Sequence, residues 1–165
     1  MNGFALRSGR VGQRGLTLIE LVITLTILGI LAAAALPMAE VAATRGKEFE
    51  LRRALRDIRT ALDAYKRDFD RAVEQKKIIA AVDDTGYPES LEKLVEGTDW
   101  GGLYQYKRKY LRRIPADPFD EYGEGWGLRS YQDDWDSTVY GGENVYDVYS
   151  QSTRTALDGT PYSTW

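Results

Sequence analysis

The stretch Leu16–Leu36 runs for 21 residues with a single charge, Glu20. As a helix rising 1.5 Å per residue it would be about 31 Å long, close to the hydrocarbon thickness of a bilayer. Arg7, Arg10 and Arg14 precede it, and a mixed set, Glu40, Arg45, Lys47 and Glu48, follows it. That asymmetry predicts a cytoplasmic N-terminus and a body on the far side of the membrane. A secretory signal peptide is a poor description, although "AAAALPMA" (32–39) offers small residues for cleavage. The apolar region of such a peptide covers only about 7–15 residues and lacks acids. A plain anchor would have to let Glu20 reach headgroup water.

A lone carboxylate at bilayer depth costs roughly 2.5–3.5 kcal/mol on insertion scales. A cut between Gly15 and Leu16 would supply a partner, because it frees an α-amine four residues, about one helical turn, from Glu20. In a bundle of such helices the amine of one subunit can meet the carboxylate of the next. Glu20 then sets the register of assembly.

Composition closes off other chemistry. The chain has no Cys and no His, which excludes thiol catalysis, zinc fingers and Ser-His-Asp triads. It is 43% hydrophobic and 28% charged, the balance of a folded protein. The net charge is −3; the first 15 residues contribute +3, so the remainder stands at −6. An acidic body argues against a nucleic-acid partner.

Beyond Met38 the helix is predicted to continue into the high 70s. Leu51, Leu55, Ile58, Leu62, Tyr65 and Phe69 form a one-faced stripe, with Arg52, Arg53, Arg56, Asp57, Arg59, Asp63, Lys66 and Arg67 on the other faces. Under three heptads long, the stripe reads as a seam onto the chain's own domain more than as a coiled coil. "DDTG" (83–86) marks a turn. "YPESLEKLVEG" (87–97) reads as a short helix with Pro88 in its first turn and Gly97 at its stop. "KYLRRIPADPFDEYG" is extended or turning, and strands are expected near Trp126–Gln132 and Val145–Ser150. A sheet of two to four strands cannot stand alone and needs the helical stripe to cover it. The fold class is therefore α+β: a long N-terminal helix, half membrane-spanning and half amphipathic, packed on a small antiparallel sheet.

"RG" followed by "LTLIELVITLTILGILAAAALP" resembles the class III leader of type IV pilins and type II secretion pseudopilins. The resemblance implies cleavage by a prepilin peptidase after Gly15 and N-methylation at Leu16. It places Glu20 at the family's glutamate, and Gly29 and Pro37 where a segment melts on assembly. Gly29 and Pro37 both weaken a helix, in agreement. Leu16 departs from the usual Phe. "YPESLEKLVEG", "YLRRIPADPFD" and "DVYSQSTRTALDGTPYSTW" follow the order of motifs in major, G-type pseudopilins. The implied organisation is a leader over 1–15, a transmembrane and assembly helix over 16–37, and a periplasmic head over 38–165. The implied function is non-enzymatic: a subunit of a type II secretion pseudopilus, anchored in the bacterial inner membrane and polymerised in the periplasm to promote protein secretion. Its partners would be itself, minor pseudopilins, the prepilin peptidase, the inner-membrane assembly platform and lipid. The alternatives are a type IV pilin for adhesion, motility or DNA uptake, and a membrane-tethered binding domain using the aromatic and acidic loops.

That family often binds calcium in the loop after the last strand. Here Arg154 stands at the place of an aspartate ligand and only Asp158 remains nearby, so no cofactor is expected and Asp158 is the one candidate ligand. Arg154 pairing with Asp158 is an alternative way to hold the loop. Lys107, Arg108, Lys109, Arg112 and Arg113 read as a solvated face, or as the complement of acids on adjacent subunits, rather than as a DNA patch. Asp133, Asp134 and Asp136 around Trp135 read as an exposed loop.

Overall fold

The computed structural model describes residues 15–165. Residues 1–14 of the predicted leader, with Arg7, Arg10 and Arg14, lie outside the described residues. The element order is α1 (Leu18–Glu74), α2 (Glu92–Glu96), β1 (Trp126–Arg129), β2 (Asp147–Ser150) and a 3₁₀ turn (Tyr162–Thr164). The chain divides into two compact units, Met1–Glu40 and Val41–Trp165.

In the first unit, α1 is helical through both Gly29 and Pro37. Leu18 is 84% exposed, and Leu21, Leu25, Leu28 and Leu31 are about half exposed or more. A helix that is apolar on every face and uncovered by its own chain belongs in lipid or among other helices. It is long and apolar enough to cross a membrane.

The second unit is built on the later part of α1. Leu51, Leu55, Ile58 and Leu62 are buried, as the stripe predicts, and Ala54, Ala61 and Ala72 widen it. Tyr65 and Phe69 end up at its edge, only partly covered. The stripe packs against Leu91, Leu94, Phe119, Trp126, Val145, Val148 and Tyr162, so it is a domain seam. Phe119 and Tyr162 stack with centroids 4.0 Å apart at the centre.

α1 stops earlier than the pattern suggests. Lys76 adopts φ 56°, its N–H bonds the Val73 carbonyl at 2.9 Å, and the Lys77 N–H bonds Ala72 at 2.8 Å. This pair of bonds is a Schellman closure with lysine at the left-handed position usually given to glycine. No Gly or Pro marks it in the sequence. Pro88 is also not where the sequence reading put it. α2 is one turn long, and Pro88 lies ahead of it, buried, accepting the Val145 N–H at 2.7 Å. It anchors the approach to β2 instead of starting a helix. Gly97 does end α2, with φ 86°.

The antiparallel pair runs from Trp126 opposite Ser150 to Arg129 opposite Asp147. Both strands are shorter than predicted. Past Arg129 side chains replace the partner backbone: Tyr131 N–H donates to Asn144 Oδ1 at 3.0 Å and Ser130 N–H to Asp133 Oδ2 at 2.6 Å. Within the sheet, the Tyr149 ring lies between Gly127 and the Arg129 guanidinium, which sits 4.1 Å from the ring centroid. A Cβ at Gly127 would overlap that ring. Gly127→Ala is therefore expected to cost roughly 2 kcal/mol, a typical overpacking penalty, read as a lower unfolding midpoint. An unchanged midpoint would mean the ring is free to swing aside.

An ionic clamp joins helix, sheet and C-terminus. Arg59 donates from Nε to Asp147 Oδ1 at 2.6 Å and from Nη2 to the carbonyls of Val148 (3.1 Å) and Trp165 (2.7 Å). Asp147 also faces Arg129 at 3.7 Å, and Arg129 is only 6% exposed. Arg129 donates in addition to the Ser137 carbonyl at 2.8 Å.

Candidate assembly segment and head surfaces

Thr17 caps α1. Its Oγ1 accepts the Glu20 N–H at 3.3 Å and its carbonyl accepts the Leu21 N–H at 3.1 Å. Thr17-Leu18-Ile19-Glu20 has the spacing of a capping box, a signal in the sequence that the assembly reading passed over. Glu20 also lies in the first turn, where the helix dipole favours an anion. The other hydroxyls satisfy themselves: Thr24 Oγ1 donates to the Leu21 carbonyl at 2.9 Å and Thr26 Oγ1 to Val22 at 2.8 Å. Among the described residues, the Glu20 carboxylate has no hydrogen-bond or ion-pair partner. It is the one polar side chain of Leu16–Leu36 left in that state. Gly15 and Leu16 precede the helix in irregular backbone. Gly29 is surrounded by open space, so packing within the chain does not require a glycine there.

The basic cluster divides in two. Lys107, Lys109, Arg112 and Arg113 are exposed, but Arg108 turns inward, its Nε 3.6 Å from Asp68 Oδ2 and its guanidinium 5.0 Å from the Tyr104 centroid. Asp68, 5% exposed, accepts the hydroxyls of Tyr104 and Tyr110, both at 2.8 Å. Trp100 Nε1 donates to the Tyr110 hydroxyl at 2.7 Å. Burial and then the Asp68 carboxylate push the Tyr110 hydroxyl well above its ordinary pKa. The hydrogen bond to Asp68 is the main cause of the same shift at Tyr104. Both phenols stay neutral donors and tie the 98–110 segment to α1. Sequence reading missed Asp68, because one acid among many charges looks like a solvated face.

The acidic loop is a structural turn. Asp133 accepts the N–H groups of Ser130 and Gly141, which hold its carboxyl below the usual range. Trp135 is 76% exposed. A cleft of about 650 Å³ lies elsewhere, between Tyr65, Phe69, Tyr87, Asp84, Glu89 and Glu143. Neither Asp133, Asp134, Asp136 nor any tryptophan lines it.

After β2 the chain turns through residues 151–161. Arg154 does not pair with Asp158: its Nη1 lies 3.3 Å from Glu121 Oε1, and its guanidinium is 5.4 Å from the Phe119 centroid. Asp158 instead accepts the N–H and Oγ1 of Thr160, at 2.9 and 2.6 Å, and faces Arg52 at 3.8 Å. Those hydroxyl and amide bonds keep its carboxyl below the usual range. Among the described residues, no group of three or more acidic side chains is placed to hold a metal ion.

Residues 10–36 match the family model described as the prokaryotic N-terminal methylation motif. Among curated proteins, the "Type II secretion system core protein G" of Pseudomonas aeruginosa is 34% identical over 122 residues, covering 68% of this chain and 83% of that protein. No solved structure matches. The apolar N-terminal helix, the small antiparallel sheet seated on its continuation, the methylation motif and this identity agree: the chain belongs to the type IV pilin-like family of type II secretion core protein G, whose members are structural subunits and not enzymes.

Proposed function

We propose that this chain is a subunit of a type II secretion pseudopilus. A prepilin peptidase cuts between Gly15 and Leu16, the Leu16 amine is methylated, and Glu20 pairs with the amine of a neighbouring subunit. The apolar segment then leaves lipid for the core of a filament. Before assembly the chain is a single-pass inner-membrane protein, N-terminus cytoplasmic by its arginines and head periplasmic. The observation that carries this reading is the state of Glu20. It is one turn from Leu16 and without a partner among the described residues, while every hydroxyl around it is satisfied. The name of the Pseudomonas relative favours the secretion pseudopilus over a type IV pilus. Gly29, which packing does not require, supports a local melting of residues 29–37 on assembly. The other partners are minor pseudopilins and the inner-membrane assembly platform.

The test is the intact mass of the chain from membranes, with and without a co-expressed prepilin peptidase. The expected result is a chain starting at Leu16, with or without one methyl group, that appears only with the peptidase. A full-length chain in both cases would favour a tethered binding domain. A start near residue 36 or 40 would mean that the segment is a signal peptide.

A further inference from the structure

We propose that arginines close the C-terminal loop of this head in place of a metal ion, with Arg154 as the fixed cation, so that the head folds independently of calcium. Four observations converge. Arg154 lines a cavity of about 260 Å³ together with Asp117, Asp120, Glu121 and Glu124. That acidic cavity therefore already contains a positive charge, paired with Glu121 and seated over Phe119. A divalent ion there would be repelled by a guanidinium a few ångströms away.

The Asp120 carboxylate is committed to backbone. Asp120 Oδ1 accepts the N–H groups of Tyr122, Gly123 and Glu124, and Oδ2 that of Gly125 at 2.8 Å. Asp117 Oδ1 accepts Phe119 N–H at 2.8 Å. Its Oδ2 is buried without a hydrogen-bond partner among the described residues. On the other side of the loop, Asp158 is held by Thr160 and Arg52.

The loop backbone closes on itself and on α1. Ala156 N–H bonds the Thr160 carbonyl at 2.8 Å, and Tyr162 N–H bonds the Arg154 carbonyl at 3.2 Å. Glu48 Oε1 accepts the Leu157 N–H at 2.8 Å and the Tyr162 hydroxyl at 3.2 Å. Geometry that an ion would have to impose is thus already specified by side chains from α1 and from residues 117–125.

The Arg154–Glu121 pair is about half exposed on both sides, so its loss should loosen the loop locally more than it lowers global stability. The experiment uses the full chain in detergent, with and without millimolar calcium after chelation. Unfolding is followed by tryptophan fluorescence and loop opening by amide hydrogen exchange over residues 151–162. The expected result is the same midpoint and the same exchange with and without calcium. Arg154→Ala, and separately Glu121→Gln, are each expected to speed exchange at Ala156 and Tyr162 several-fold, with no recovery on adding calcium. A calcium-dependent rise of several degrees in the unaltered chain would overturn the proposal. Unchanged loop exchange in both variants would overturn it equally.

Discussion

Glu20→Gln is expected to abolish filament formation while the chain still inserts into the membrane. Glutamine removes an ionised group whose burial costs roughly 2.5–3.5 kcal/mol, so insertion should be no harder than before. It also removes the only anion that could meet a neighbour's amine in the apolar core. The helix start should survive, because Thr17 caps α1 through the backbone N–H of Glu20 and not through its carboxylate. That separation makes the variant informative. The measurements are the fraction of chain resisting alkaline extraction from membranes and the yield of sheared filaments. Filaments at the level of the unaltered chain would sink the charge-pairing mechanism, since neither cap nor span has been touched. Thr17→Val is the complementary control: it removes the capping hydroxyl, a change worth about 1 kcal/mol, and leaves the charge in place.

The largest stability effect should come from Asp147→Asn. Asp147 faces two guanidiniums, Arg59 at 2.6 Å and the buried Arg129 at 3.7 Å. Neutralising it leaves Arg129 with its charge and only carbonyls and the Tyr149 ring as partners. Breaking a buried pair from one side typically costs 3–5 kcal/mol. Asp147 is partly exposed and Arg129 keeps the Ser137 carbonyl, so the lower end applies, about 3 kcal/mol. For a domain of this size that corresponds to a fall in Tm on the order of 10 °C. Asp57→Asn, which disturbs an exposed i,i+4 pair with Arg53, is expected to shift stability by less than about 0.5 kcal/mol. Equal losses in the two variants would show that the clamp carries no special weight.

Residues 16–36 and the stripe from Leu51 to Leu62 were legible because their signals are local: length, one misplaced charge and a repeat of three and four. Asp68, Arg59 and Arg108 were not. On a helical wheel or in a basic run each looks like a solvated charge. Each is fixed by a partner far along the chain, Asp68 by Tyr104 and Tyr110, Arg59 by Asp147. The early stop of α1 was hidden for another reason. A lysine was accepted at a left-handed position that sequence rules reserve for glycine. Processing at Gly15 and Leu16, and assembly through Glu20, Gly29 and Pro37, are readings that rest on spacing and resemblance. The partner of Arg154 was missed because Glu121 lies in a segment with no regular structure.

The place where α1 begins has a consequence for processing. Leu18 is the first helical residue, and the Gly15–Leu16 bond lies upstream of it in irregular backbone. Proteases read a substrate as an extended strand, and a helix must first be melted before its peptide bonds fit such a cleft. Here a peptidase reaching the membrane surface would find the bond already unwound. The threonine that caps the helix would act as a guard rail in the proposed processing, leaving the bond accessible without unwinding α1.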